Sequence, residues 1–162
     1  MHLKFHGIKE LQKALNKLPY NMQKQAYRKG MTKGAQIANR AAKANARAIK
    51  DTGALAKSIG YTISRDRRNA KIGARSGFRQ PAPPGRRSKK QQYIDPFRYA
   101  HLVELGTRQR TKGHNRGAMK ATPFLQPAVD NNREAIIAAI AQGIREGMDA
   151  AVARAKAREA RR

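Results

Sequence analysis

From residue 21 to about residue 50 the chain reads as one long helix, and that helix limits every fold open to it. Asn21 can cap its start, and Met22, Ala26, Ala35, Ala38, Ala41 and Ala42 recur among Lys and Arg. One narrow face therefore packs while the rest meets solvent. That face is built from small side chains. Aromatic residues are only 6% of the sequence and Trp is absent, so Ala, Ile and Leu must supply most of the buried area. Helices packed closely at small residues satisfy this demand. Gly30 and Gly34 each weaken the helix by about 1 kcal/mol unless close packing offsets the loss.

The rest of the chain must cover this helix with one modest core, which 162 residues allow. Leu3 and Phe5 alternate as on a short strand that Gly7 ends. Ile8, Leu11, Leu15 and Leu18 then recur at helical spacing until Pro19 stops them. After the long helix, Asp51-Thr52-Gly53 forms a break, with Gly53 suited to a left-handed turn. Ile59, Tyr61 and Ile63 alternate as on a half-buried strand, and Ala70, Ile72 and Ala74 return after a polar turn.

Residues 75–97 differ in kind. They hold Gly77, Pro81, Pro83, Pro84, Gly85 and Pro96 together with Arg86, Arg87, Lys89 and Lys90, a long basic insert without a periodic pattern. Alternation over 99–105 predicts a further strand, closed by Gly106 and Thr107, and a second basic loop spans 108–120 with Arg108, Arg110, Lys112 and Arg116. Pro123 and Pro127 bracket Phe124 and Leu125. The last helix is expected from near Ala128, with Ile136, Ile137, Ile140, Ile144 and Met148 on one face. The expected class is α+β: a small antiparallel sheet of about four strands packed by a long N-terminal helix and a C-terminal helix. Residues 1–149 form the domain, with 75–97 as its insert and 150–162 as a basic C-terminal extension.

A formal net charge of +26, from 36 Lys and Arg against 10 Asp and Glu, makes this chain repel itself and condense onto polyanions. Nucleic acid, an anionic membrane and acidic protein surfaces all qualify, and charge alone does not choose among them. No cysteine is present, so disulfides and thiolate metal sites are excluded. No apolar run approaches the roughly 20 residues that span a bilayer, and the first residues lack a signal-peptide core, so no membrane partner is expected.

The residues do not assemble an active site. His2, His6, His101 and His114 lack metal-ligand spacing, and no phosphate loop, nucleophile elbow or dinucleotide fingerprint occurs. Glu104 is the clearest candidate base, but a lone carboxylate in so basic a chain reads better as a structural ion-pair partner. No catalytic, cofactor-binding or metal-binding residue is assigned, no cofactor is implied, and enzymatic activity is not expected.

Four short elements share a pattern. Asp51-Thr52-Gly53, Leu55, Ser58 and Ile59 follow the long helix; Tyr99, Ala100, Glu104, Gly106 and Thr107 form the second element; Pro123-Phe124-Leu125-Gln126-Pro127-Ala128 precedes the last helix; and Gly7-Ile8-Lys9-Glu10-Leu11 opens the chain. In this order they resemble a tail-component family of long-tailed, HK-type bacteriophages, whose members are minor tail or tail-completion proteins. Gln126 departs from the family's usual basic residue, and the long insert and basic tail are further departures.

The resemblance implies a virion structural protein, made in the host bacterial cytoplasm and placed in the neck or tail. It implies a homo-oligomeric ring, a hexamer, joining the head-side connector to the tail tube. Its partners would be neighbouring neck, connector and tail-terminator or tail-tube proteins, with genomic DNA passing through the channel. The residues named in the four elements build the fold on this reading. The candidate interface is Arg86, Arg87, Lys89 and Lys90 with Arg108, Arg110, Lys112 and Arg116. The alternative is a basic nucleic-acid-binding protein of ribosomal or chromatin type; few aromatics interleave the basic segments, which weighs against it.

Overall fold

A computed structural model describes residues 8–49, 53–82, 93–108 and 117–160. The helices are α1 (Ile8–Asn16), α2 (Tyr20–Ala48), α3 (Ala54–Ser58), α4 (Ala100–Leu105), α5 (Gln126–Asp130) and α6 (Arg133–Glu159). Strands β1 (Ile59–Ile63) and β2 (Ala70–Ala74) form one two-stranded sheet. Strands β3 (Gln80–Pro81) and β4 (Tyr93–Ile94) form another, antiparallel, with Gln80 opposite Ile94 and Pro81 opposite Tyr93. A 3-10 turn, Pro96–Arg98, follows β4. The class is α+β as expected, with the strands divided between two small sheets. The expected strand at Leu3 and Phe5 lies outside the described residues.

The chain divides into two compact units. The first comprises residues 1–37, 62–71 and 133–162, and the second 38–61 and 72–132. In the first, Leu15, Ala26 and Ile144 are buried, with Leu11, Leu18, Tyr27, Ile140 and Met148 packed around them. This is the face that helical spacing predicts for α1 and α6. The start of α2 differs slightly from expectation: Asn21 lies inside the helix, because the Pro19 carbonyl already accepts the N–H groups of Met22 and Gln23.

Close approach of α2 and α6 explains the glycines. A Cβ on Gly34 would stand 2.5 Å from Ile140 Cγ1, one on Gly30 would stand 2.6 Å from Ile144 Cγ1, and one on Gly143 would stand 2.7 Å from Gly30 Cα. A Cβ on Gly147 would meet Ala26 Cα at 2.6 Å. Gly143 and Gly147 meet the α2 backbone directly, and Gly30 and Gly34 receive the Ile144 and Ile140 side chains, so the propensity lost at each glycine is recovered as packing.

In the second unit Ala42, Ala46, Leu55, Ala56, Ile59, Phe124 and Ala128 form the core. Gly53 adopts φ +70° just before α3, the left-handed turn its sequence suggests. Ser58 is fully buried, and its hydroxyl donates to the Leu55 carbonyl at 2.7 Å, which removes the cost of burying it.

Two expectations are corrected. Residues 99–105 are not a strand. Ala100–Leu105 is a helix, and Tyr99, Ala100 and Val103 pack on the core while His101 is exposed. Positions i, i+1 and i+4 face inward, a helical set that mimics alternation over so short a stretch. The final helix does not begin near Ala128. Gln126–Asp130 is a separate short helix, Asn131 and Asn132 form a turn, and α6 starts at Arg133 and continues through Glu159, well into the basic extension. Residues 75–97 also hold β3, β4 and the 3-10 turn, where no regular structure is expected. Among the described residues no helix is long and apolar enough to cross a membrane.

Candidate functional site

The second and third sequence elements meet in the second unit. Helix α4 ends where Gly106, at φ +73°, donates its N–H to Leu102 O. A Cβ there would stand 2.7 Å from Met119 O, so both the turn and the contact require glycine. Beyond it the chain is joined to residues 119–126 by a run of polar contacts. Thr107 N–H donates to Met119 O at 2.9 Å, Met119 N–H donates to Thr107 Oγ1 at 2.9 Å, and Thr122 N–H donates to Val103 O at 2.8 Å.

Glu104 closes this run. Its Oε2 accepts the N–H groups of Phe124 at 2.8 Å and Leu125 at 3.0 Å, and its Oε1 accepts that of Gln126 at 3.0 Å. These donors stand at the start of α5, where the helix itself offers no acceptor and its dipole favours negative charge. The expected ion-pair partner is corrected: the Glu104 carboxylate binds backbone donors. Phe124 is held from the other side as well, since its carbonyl accepts Asn45 Nδ2 at 3.1 Å. Its ring is 0% exposed in the core.

The other family-element residues fall in place around this latch. Leu55 and Ile59 are buried beneath it, Ala100 and Tyr99 pack on the same core, and Pro127 sits in the first turn of α5. Pro123 is exposed, and Thr52 lies outside the described residues. Of the eight candidate interface residues only Arg108 is described, and it is exposed; Arg86, Arg87, Lys89, Lys90, Arg110, Lys112 and Arg116 lie outside. The latch itself escapes sequence reasoning because its donors are backbone groups. The one available signal is a carboxylate in an otherwise basic stretch, followed about twenty residues later by a Pro-flanked helix start.

Bulky apolar side chains stand in water on this unit. Leu105 is 77% exposed, and Tyr93, Phe97 and Met119 are exposed too. Leu105 directly follows the latching carboxylate, so its backbone is fixed even though its side chain is not covered.

A sequence model of the family described as "Bacteriophage HK97-gp10, putative tail-component" matches residues 9–106. The match takes in α2 through α4 and stops short of residues 119–126. No curated protein and no solved structure matches the chain.

Proposed function

Since the chain belongs to the HK97-gp10-like family of bacteriophage tail components, we propose that it is a tail-completion subunit. It assembles into a homo-oligomeric ring, sixfold as the resemblance implies, at the head–tail junction, and it carries out no catalysis. A tail component resides in the virion and contacts other virion structural proteins. The finer reading rests on Leu105: a large apolar side chain left in water on a backbone pinned by Glu104 suits burial against a second subunit. Ring formation repeats one heterologous contact, so a single anchor of this kind is used by every subunit.

Replacing Leu105 with Asp tests this. The expected result is a folded chain that no longer forms rings in electron microscopy and fails to complement tailed-particle assembly. Rings and particles in wild-type yield from this variant would overturn the assignment of Leu105. A chain that stays monomeric in wild-type form at assembly concentrations, and is missing from the neck of purified virions, would overturn the ring itself.

A further inference from the structure

The first unit carries a second feature, unrelated to the latch. An open cleft of about 680 Å³ runs beside α2 and α6 and under the turn between β1 and β2. Arg28, Lys29 and Lys33 reach it from α2, Arg67 from the turn, and Arg154 from α6. Gly147 and Ala150 complete its lining from α6. No acidic residue lines it among the described residues.

Its cations are arranged, and only some are neutralised. Glu146 pairs with Lys29 at 3.2 Å and with Lys33 at 2.5 Å, holding those two ammonium groups together. Arg154 is oriented by Gln25, whose Oε1 accepts its Nη1–H at 2.9 Å; this fixes the guanidinium without cancelling its charge. Arg67 is held at φ +62°, a left-handed conformation that is unfavourable for a non-glycine residue. The turn maintains it: Arg67 N–H donates to Ser64 O, and Asp66 Oδ1 accepts both the Ser64 hydroxyl and Arg68 N–H.

The shape and the aromatics discriminate among anions. A cleft of this size falls within the volume range of small-ligand sites and cannot enclose a duplex. Single-stranded nucleic acid is held by bases stacking on free aromatic faces. No aromatic side chain lines this cleft among the described residues. Guanidinium groups bind carboxylates in bidentate fashion, and Glu146 already shows a carboxylate bridging the lysine pair. We propose that this cleft receives an acidic segment of a neighbouring virion protein, whose carboxylates pair with Arg28, Arg67 and Arg154. The proposal rests on membership of the tail-component family and not on the ring.

A fluorescein-labelled hexaglutamate peptide, titrated against the full chain near physiological salt, provides the test. Arg28→Ala with Arg154→Ala should weaken binding by about tenfold or more. Arg47→Ala with Lys57→Ala removes the same charge from exposed positions outside the cleft and should change it by less than about twofold. Arg67→Gly is the variant least able to disturb folding, because glycine accepts the left-handed turn; it should weaken binding about threefold at an undiminished melting temperature. Equal losses in the two double variants, or unchanged binding in Arg67→Gly, would reduce the effect to diffuse attraction and overturn the site. A duplex DNA probe should lose affinity equally in both doubles. Duplex binding that depends on the cleft and displaces the peptide would assign the cleft to nucleic acid instead.

Discussion

Each of the two units has its own kind of internal packing, and the two kinds are opposite. In the first, α2 and α6 come together at Gly30, Gly34, Gly143 and Gly147, where missing side chains admit either the facing backbone or an Ile side chain. In the second, one large ring, Phe124, fills the centre, and a carboxylate and an amide fix the backbone on either side of it. The first arrangement is intolerant of added atoms and the second of removed ones. A chain with 6% aromatic residues can build only a few centres of the second kind, so it relies on close helix contact elsewhere.

The largest effect is expected at the ring. Phe124→Ala should cost about 3–5 kcal/mol in urea unfolding, since it leaves a cavity that the latched backbone cannot collapse into. A loss under 1 kcal/mol would mean the second unit is not organised around this side chain. Glu104→Ala comes next. It leaves three donors at the start of α5 without their acceptor and should cost about 2–3 kcal/mol, with early hydrogen exchange at Phe124, Leu125 and Gln126. Unchanged exchange at those amides would show that water replaces the carboxylate without penalty.

Gly143→Ala sharpens the contrast from the other side. Helix propensity alone predicts a gain of about 1 kcal/mol, whereas the clash with Gly30 Cα predicts a net loss of about 1–3 kcal/mol. The sign of the change therefore decides whether the α2–α6 contact is as close in solution. The smallest effect concerns pH. Lys33 first, and then Lys29, hold the Glu146 carboxyl below its ordinary value of 4.5. Its folded-state pKa is lowered, so the unfolded chain binds the extra proton first. The contribution is complete above about pH 4.5 and fades as pH falls below that value. Glu146→Gln should lose part of the acid-side slope of stability and leave the slope near neutrality as it was.

Much of the fold is written in periodicity. Leu11, Leu15 and Leu18, the alanines of α2, and Ile140, Ile144 and Met148 mark their buried faces because those helices are long enough for the 3.6-residue repeat to show. Residues 99–105 are too short for that, and seven residues of mixed pattern fit either period. The glycines of α2 are legible as a conditional: costly unless something comes close. What comes close, Ile140, Gly143 and Ile144, is more than a hundred residues away, and no local rule connects them. The latch is hidden for a related reason, since Glu104 recognises three N–H groups that every non-proline residue owns.

Two hydrogen bonds between Thr107 and Met119, one between backbones and one to the Thr107 hydroxyl, tie together the ends of the basic segment between them. With both ends clasped, the ordering entropy of the clasp is met by the contacts at its base, and lengthening the enclosed segment adds only the slow logarithmic closure term, about 0.6 kcal/mol for each doubling. The length of that segment therefore bears only weakly on the stability of the unit that carries it. Natural variation can rewrite the one while leaving the other intact.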